Sequence, residues 1–491
     1  MPSKLAALFF AFAVPFAIAQ PNLQSPVERS GFQRLTSYDT LQSFVSSLDG
    51  GDRIHVQKIA VSRQGRSVVC CFASLGKFGE DPGKLRVMLF AQQHGDEPSG
   101  KEALTLLLAK IAGDSLDSIL TRADLLIIPQ MNPDGAELRQ RRTSDSLDLN
   151  RNHLLLTSPE TRALHDLFAR WSPQVTLDVH EYGPYSKAWS DSGFIKLADV
   201  QLGMLTNLNC PLGLRVFEQK VVFPYIARAM QRQGYLFHEY IVGSPGEGIR
   251  YSTTEPNDGR LSFGILGTLS FIQEGRGGRT PEEGLERRSR SQLASIEDLL
   301  SLCATRAEEI KVLVGRERRG LYAAAGSNVV LCMDHFSGPG SMFIPVRRVP
   351  SERDTIWQVT PLHDVVKPLV SRRLPSAYVI PSEYGDIRAL LERHHVRYEP
   401  VRVQHTSVAE VYLVDSVRDD TLESEWHPMP ALRVEKRTVT IRQGDLVVPT
   451  NQMHSFFLGI LLEPESMWGL VKYPGFRSLL ASKQYPIVRI P

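Results

Sequence analysis

The chain has 491 residues, of which 42% are hydrophobic and 22% are charged, and its formal net charge is +2. This length exceeds what one average hydrophobic core holds, so we expect two domains. The ordinary composition excludes extensive disorder. The nearly balanced charge excludes a strongly basic surface for nucleic acid or for anionic membranes. The sequence does not specify an oligomeric state.

Residues 1–19 have the pattern of a secretory signal peptide. Lys4 precedes an apolar stretch from Leu5 to Ile18, and Ala17-Ile18-Ala19 is typical of a cleavage site. The stretch is short for a membrane span, and no later segment approaches about 20 apolar residues. We therefore expect cleavage after Ala19 and a secreted or periplasmic protein without a membrane span.

The five cysteines give little further information. They show no C-x-x-C spacing, which argues against a thiolate metal site. Export to an oxidising compartment permits one or two disulfides, but the sequence does not show which cysteines would pair.

The pattern up to residue 315 predicts alternating strands and helices. In chain order these are a helix ending at 48, strands 55–62, 67–74 and 85–90, a helix 98–112, a strand 123–129, a helix 159–170, strands 175–179 and 269–272, and a helix at about 288–315. Residues 194–242 are predicted to be helical and then strand-like, and the Gly- and Pro-rich stretch 243–262 is predicted to be a covering loop. We expect an α/β fold with a mixed, mostly parallel, doubly wound sheet and helices on both faces.

After residue 320 the pattern changes to alternating strands. They are predicted at 329–333, 356–360, 408–414 and 432–441, with a helix at 384–394 and closing strands in the tail 446–491. Histidines are scattered here, and His, Asp and Glu do not converge in a motif. We therefore expect a catalytic domain over 20–315 and a β-rich accessory domain of unassigned role over 320–491.

Polar residues follow several predicted strands at the point where each strand ends. His94 and Glu97 come directly after the strand 85–90, and this spacing lets an imidazole and a carboxylate meet one cation from the same side. Two such ligands need a third protein ligand, and a catalytic zinc keeps one position open for water. His180 ends another apolar strand. Ligand sites in open α/β sheets lie at the carboxyl ends of the strands.

Two further strand ends carry polar groups. The strand 123–129 leads into a predicted turn, Asn132-Pro133-Asp134-Gly135, then an arginine cluster and Asp148-Leu149-Asn150-Arg151-Asn152. Glu274 follows the apolar strand 269–272 and precedes glycines, which makes it a candidate general base.

With these motifs, the chain resembles the zinc metallocarboxypeptidases, the carboxypeptidase A-like family. The resemblance runs from about Tyr38 to Arg276, and HGDE, NPDG, an arginine ahead of DLNRN, a strand ending in His and a strand ending in Glu occur in the family's order. It implies one zinc ion per chain, bound by three residues, His94, Glu97 and His180. His238 ends another apolar stretch and is the rival third ligand.

The resemblance also implies roles for other residues. Asn150 and Arg151 match the pair that grips the terminal carboxylate of the substrate, for which a planar guanidinium is suited. Glu274 matches the general base. Arg141 best matches the arginine that steadies the oxyanion, followed by Arg142 and then Arg139. For the mobile tyrosine of the covering loop, Tyr251 lies at about the right distance before Glu274, and Tyr240 is the alternative.

The implied activity is hydrolysis of the C-terminal peptide bond of peptides with a free carboxylate, through a zinc-bound water and a glutamate base. Two alternatives stay open: a zinc amidohydrolase acting on murein peptides or N-acyl amino acids, and an inactive secreted binding protein on the same scaffold. Glu181 stands where digestive members carry serine. We expect it to lie beside the substrate pocket and to alter substrate preference.

Overall fold

The computed structural model describes residues 23–422 and 425–491. The predicted signal peptide lies outside the described residues. None of the described helices is long and apolar enough to cross a membrane. The five cysteines lie within the described residues, where all are buried and none forms a disulfide.

The strands before residue 280 include those that lead into the polar residues identified in the sequence. They are β1 (Ile54–Val61), β2 (Ser67–Ala73), β3 (Leu85–Ala91), β4 (Ala123–Ile128), β5 (Val175–Tyr182), β6 (Phe194–Lys196), β7 (Val200–Gly203), β8 (Phe237–Glu239), β9 (Ile241–Ser244), β10 (Gly248–Tyr251) and β11 (Leu269–Arg276). Every residue of β4 and β5 is buried, as expected for strands that are covered on both faces.

The largest sheet among the described residues has eight strands in the order β1-β2-β4-β3-β5-β11-β7-β8. The central pairs β4/β3, β3/β5 and β5/β11 are parallel, as is β7/β8. The pairs β1/β2, β2/β4 and β11/β7 are antiparallel. The predicted mixed, mostly parallel sheet is confirmed.

Helices connect and flank the strands of this region. They are α1 (Pro26–Arg29), α2 (Tyr38–Leu48), α3 (Ser99–Ala112), α4 (Asp117–Leu120), α5 (Pro133–Glu137), α6 (Pro159–Trp171), α7 (Lys187–Asp191), α8 (Leu212–Phe217), α9 (Phe223–Arg232), α10 (Gly259–Gly264), α11 (Leu285–Thr305) and α12 (Ala307–Tyr322). In α6, the Ser158 side chain accepts a hydrogen bond from the Glu160 amide, and Pro159 occupies the first turn.

Helices cover both faces of the sheet. A side chain at Gly100 of α3 would meet Val179, whereas one at Gly259 of α10 would meet Asp178. Because Asp178 and Val179 are consecutive on β5, they point to opposite faces, so α3 and α10 lie on opposite sides. The close approach of each helix explains a glycine at each contact.

Four predictions of local structure were wrong. Asn132 caps the short helix α5 rather than a turn, because its side chain accepts a hydrogen bond from the Gly135 amide. Strands β6 and β7 precede the helices of 194–242, and β9, β10 and α10 occupy much of the predicted loop 243–262. The helix predicted at about 288–315 is two helices that meet at Arg306.

The remaining chain is rich in β-structure, as predicted. Its elements are β12 (Asn328–Phe336), β13 (Phe343–Arg348), β14 (Arg353–Gln358), β15 (Leu362–His363), β16 (Val365–Arg373), β17 (Ala377–Ile380), α13 (Gly385–Arg393), β18 (Glu399–Pro400), β19 (His405–Leu422), β20 (Glu425–Ile441), β21 (Leu446–Pro449), α14 (Ser455–Leu462) and β22 (Val488–Ile490). The prediction for the tail was also wrong, because the tail contains α14 and 3-10 turns as well as strands.

This β-rich part is joined to the eight-stranded sheet region by strand pairing. β13 pairs with β6, and β15 pairs with β10. The Arg393 side chain of α13 also donates a hydrogen bond to the Leu155 carbonyl, in the loop that follows the DLNRN segment. The β-rich part therefore packs on segments that border the strand ends.

Candidate metal centre

His94, Glu97 and His180 come together at the carboxyl ends of β3 and β5. Glu97 lies between the two imidazoles: its Oε1 is 2.8 Å from His94 Nδ1, and its Oε2 is 2.8 Å from His180 Nδ1. The two Nδ1 atoms are 3.1 Å apart. One ligand atom from each residue lies within 4.8 Å of the other two. The structure thus brings together the three residues that the motifs single out.

The turn after β3 explains how His94 reaches this position. A Cβ at Gly95 would lie 2.1 Å from the Gly135 carbonyl carbon at the start of α5, so the turn has room only for glycine there. Gln92 adopts a left-handed conformation with φ of 56°. Its side chain donates a hydrogen bond to the Gly95 carbonyl. This tight packing fixes the direction of the neighbouring imidazole.

Two buried aspartates face the outer nitrogens of the imidazoles. Asp148 Oδ1 is 3.2 Å from His94 Nε2, and Asp178 Oδ1 is 2.8 Å from His180 Nε2. Carboxylates in this position orient a histidine ligand and increase its basicity. The sequence reasoning missed both roles. For Asp178, its place two residues before His180 on the same strand was a usable signal, because such residues share a face.

The donor set fits a zinc ion. Two imidazole nitrogens and one carboxylate oxygen are a ligand set of catalytic zinc sites, which leave a position open. The Glu97 carboxylate is held ionised: burial raises its pKa, but His94 and His180 outweigh burial and bring that pKa well below its usual range. A cation between these atoms meets ligands that are already gathered and oriented.

Glu274 lies beside this cluster on the neighbouring strand. It is paired in register with His180 across the parallel strands β11 and β5, so both side chains lie on the same face. Burial raises the pKa of Glu274 to about 7, and the negative charge of Glu97 contributes. A carboxyl with a pKa near neutrality is suited to accept and return a proton.

One of the three candidate arginines reaches the cluster. Arg141 Nη1 is 3.1 Å from His94 Nδ1 and 3.5 Å from Glu97 Oε1. Its side chain is 43% exposed, so part of the guanidinium faces solvent. Arg142 donates to a backbone carbonyl of its own loop, and Arg139 faces a glutamate outside the cluster.

Asn150 and Arg151 lie on the same side of the sheet as the cluster. Asn150 Nδ2 is 3.4 Å from His180 Nε2, and Asn150 Oδ1 accepts a hydrogen bond from the Gly259 amide. Arg151 Nε is 3.1 Å from Glu255 Oε2, and the Arg151 side chain is 40% exposed. The guanidinium therefore already faces one carboxylate of the protein.

The two candidate tyrosines have different surroundings. The Tyr251 hydroxyl is hydrogen-bonded to the Glu239 carboxylate. Burial raises the pKa of Tyr240, and the charge of Glu274 raises it further. His238 lies outside the cluster, with its Nδ1 2.6 Å from the Glu239 carbonyl oxygen.

The expectation for Glu181 was wrong. Its carboxylate accepts hydrogen bonds from the Arg288 guanidinium at 2.6 and 3.0 Å, in a buried ion pair below α11. Because Glu181 follows His180 on a strand, the two side chains point to opposite faces of the sheet. Glu181 therefore lies on the face of the sheet opposite to His180 and does not face a substrate pocket.

Comparisons with known proteins find similar carboxypeptidases. A family model described as zinc carboxypeptidase matches residues 47–158. Carboxypeptidase 2 of Trichophyton rubrum is 26% identical over 449 residues, which cover 87% of this chain and 81% of that protein. Probable carboxypeptidase 2 of Arthroderma benhamiae is 26% identical over 426 residues, which cover 82% and 78%. Carboxypeptidase A of Helicoverpa armigera, a solved structure, has a TM-score of 0.44 and 16% identity over 56% of this chain and 75% of that chain.

The chain is similar to zinc carboxypeptidases over residues 47–158 and to carboxypeptidases along most of its length, and it is a hydrolase of the metallocarboxypeptidase type. The resemblance to the zinc metallocarboxypeptidases that the motifs indicate is confirmed. The relatives are named as carboxypeptidases, and the two alternatives, an amidohydrolase and an inactive binding protein, are not favoured.

Proposed function

We propose that the protein removes the C-terminal residue from peptides with a free terminal carboxylate, using one zinc ion held by His94, Glu97 and His180. The observation that carries this proposal is the convergence of these three side chains beside Glu274, on adjacent parallel strands. When bound in such a site, zinc acts as a Lewis acid that lowers the pKa of water to about 7.

Glu274 is proposed as the general base. It takes the proton of the attacking water and returns it to the amine that leaves. Its burial beside the cluster supports this role, because burial brings its pKa close to the pH at which the protein would operate.

Arg141 is proposed to stabilise the oxyanion that develops on the substrate carbonyl. Its guanidinium borders the cluster and is partly exposed, so it has N–H groups available to a substrate. A positively charged donor in such a position acts mainly on the charge that forms in the transition state.

Asn150 and Arg151 are proposed to hold the terminal carboxylate of the substrate. A guanidinium binds a carboxylate through two parallel hydrogen bonds, and this fixes which peptide bond reaches Glu274. The exposed part of Arg151 supports this role. For the tyrosine that covers the substrate, the surroundings favour Tyr240 over Tyr251.

Two further proposals concern the whole chain. The N-terminal pattern supports export with cleavage after Ala19, and therefore a secreted or periplasmic location. Residues 20–315 are proposed as the catalytic domain and 320–491 as the accessory domain, because every residue with a proposed chemical role precedes 315. The accessory part supports the strands and loops around the site through β13, β15 and α13.

The proposal is tested with matched peptides that have a free or an amidated C-terminus. We expect release of the last residue from the free peptide, and at least about a hundredfold lower kcat/KM for the amide, because Arg151 loses its charged partner. Equal hydrolysis of the two peptides, or cleavage at internal bonds of both, would contradict a carboxypeptidase anchored by Arg151.

A further inference from the structure

Lys196 is a buried cation close to the proposed base. It ends β6 and is 8% exposed. Its Nζ lies 4.3 Å from the centroid of the Tyr182 ring and 5.3 Å from that of Trp189. Among the described residues, no carboxylate lies within ion-pair distance of Nζ. Burial lowers the pKa of Lys196 to about 8, and the charge of Glu274 opposes this effect.

A buried ammonium without a close anionic partner is costly for a fold. Two aromatic faces compensate part of this cost through cation–π attraction. Neither ring supplies a hydrogen-bond acceptor of carboxylate strength for the three N–H groups of Lys196. The arrangement therefore leaves binding capacity for an anion that comes from outside the chain.

The strand β5 gives the position of Lys196 relative to the proposed substrate. Asp178, His180 and Tyr182 alternate along the strand and share one face. At one end, the Gln93 amide links Asp178 to Asn150, the proposed carboxylate anchor. His180 of the metal centre lies in the middle.

Tyr182, with the Lys196 ammonium over its ring, lies at the other end of this face. Anchor, metal centre and Lys196 therefore follow one another in that order. A substrate whose terminal carboxylate is held by the anchor has its scissile bond at the metal centre. Its preceding residues then extend towards Lys196.

Spacing limits which residue of the substrate Lys196 meets. Two residues of a strand span about 7 Å, and an extended peptide advances about 3.3 Å per residue. From the level of His180 to that of Tyr182, a substrate therefore advances about two residues.

A second positive charge lies at the same level. Arg276 is paired in register with Tyr182 and shares a face with Glu274. Its side chain forms no ion pair with the part of the chain that the structure describes. This end of the site is thus cationic.

We infer that Lys196 forms an anion-binding subsite, which selects peptides with a carboxylate side chain on the first or second residue before the scissile bond. This inference rests on the proposed carboxypeptidase function and names its substrate class. Arg276 reinforces the subsite from the neighbouring strand. The competing explanation is that Lys196 only positions Glu274 and does not touch the substrate.

The test uses the full-length, zinc-loaded protein and pairs of peptides that differ by Glu or Gln at one of these two positions. For the unaltered protein we expect kcat/KM to favour Glu by about tenfold at one position, the value of one charge-assisted hydrogen bond. In Lys196→Met the Glu/Gln ratio should fall below about threefold, with Arg276 supplying the remainder. Lys196→Arg should keep most of the preference, because it keeps the charge.

Lys187→Met is the matched control. Lys187 lies nearby in the chain, is exposed and pairs with Asp191, so its replacement should leave the ratio as in the unaltered protein. The ratio is insensitive to the fraction of folded enzyme, which cancels between the two peptides. Equal loss of both rates in Lys196→Met, with the ratio retained, would overturn the inference and assign Lys196 to positioning Glu274.

A binding measurement separates failure of the inference from failure of the proposed function. Calorimetric titration of the zinc-loaded Glu274→Gln protein with the same peptides should show tighter binding of the Glu peptide, and the additional Lys196→Met change should remove this preference. Preferred binding of the Glu peptide without turnover of any peptide by the unaltered protein would support the subsite and reject the proposed function. Cleavage of peptides with equal binding and equal rates for Glu and Gln would reject the subsite alone.

Discussion

The eight-stranded sheet and the long hairpin formed by β19 and β20 are both made of β-strands, but they place charged residues differently. In the sheet, β3, β5 and β11 are almost fully buried, and their charged groups meet at the carboxyl ends. In the hairpin, strands of 18 and 17 residues carry charges along their length. The Asp415 carboxylate is 3.0 Å from Arg433 Nε, and both side chains are largely exposed.

This difference in burial explains why the reactive groups lie in the sheet and not in the hairpin. Solvent screens an exposed ion pair, so pairs such as Asp415–Arg433 contribute little to stability and do not shift reactivity much. At the strand ends, burial removes water from Glu97, Glu274 and Asp178, and each carboxylate then depends on specific neighbours. Matched changes in the two regions should therefore have very different effects.

The largest effect is expected for Glu274→Gln. Removing the base should lower kcat by about a thousandfold or more, because general base catalysis contributes about 10²–10⁴. Zinc content, measured by mass spectrometry, should stay at the level of the unaltered protein. Glu435→Gln in the hairpin is the control and should keep full activity. A Glu274→Gln protein with normal turnover would remove Glu274 from the base role.

Asp178→Asn should have the next largest effect. The amide keeps the shape but loses the charge that faces His180 Nε2, so zinc affinity should fall by about 10–100-fold. Competition with a chelator measures this change. Asp415→Asn removes a carboxylate of the hairpin and should leave zinc affinity unaltered. Equal zinc affinity in the two variants would show that Asp178 does not act on the metal centre.

Glu255→Gln should have a smaller effect, on substrate binding. Glu255 faces Arg151 at 3.1 Å and competes with the terminal carboxylate of the substrate for the same guanidinium. Neutralising Glu255 should lower KM by about two- to fivefold, because the substrate carboxylate then no longer has to displace a charged partner from Arg151. Steady-state kinetics with a free-carboxylate peptide tests this. A raised KM would mean that Glu255 holds Arg151 in its binding orientation.

The smallest effect concerns stability in acid, at the contact between the β-rich part and the loop that contains Leu154. His394 of the β-rich part is buried, and its Nε2 lies 2.7 Å from the Leu154 carbonyl. Burial lowers the pKa of His394 to about 3 and that of the nearby His454 to about 4. In the unfolded chain these imidazoles take up protons below pH about 6.5, whereas the folded protein keeps them neutral. Stability should therefore be complete above pH 6.5 and should fall as the pH decreases from there towards about 3–4.

Thermal unfolding at pH 8 and pH 5 measures this dependence. His394→Gln retains an N–H donor for the carbonyl but cannot be protonated, so its Tm should decrease less between the two pH values. His405→Gln is the control, because His405 is exposed in the hairpin. The same decrease of Tm in all three proteins would assign the acid sensitivity to other groups.

The central sheet and the metal centre could be predicted from the sequence for physical reasons. Buried strands give continuous apolar runs, and a cap such as Ser158 with Pro159 marks a helix start. Strand ends of a parallel sheet converge, so His94, Glu97 and His180 could be placed together before any coordinates. The spacing along the chain indicated His94 and Glu97, whereas the choice of His180 over His238 rested on the resemblance to the family.

Other features depend on contacts between distant segments and could not be predicted. The pairing of β9 with β10 and of β10 with β15 orders a segment whose composition is typical of a loop. The direction of Glu181 could have been inferred from strand alternation, but its partner Arg288 lies on a remote helix. The place of Lys196 over the Tyr182 ring also depends on the pairing of β6 with β13.

The central claim is that one zinc ion is held by His94, Glu97 and His180. The most direct test is the zinc content of the purified full-length protein and of two single variants, His180→Ala and His238→Ala. We predict one zinc per chain in the unaltered protein and in His238→Ala, and loss of zinc on dialysis in His180→Ala. Retention of zinc by His180→Ala together with its loss from His238→Ala would contradict the account.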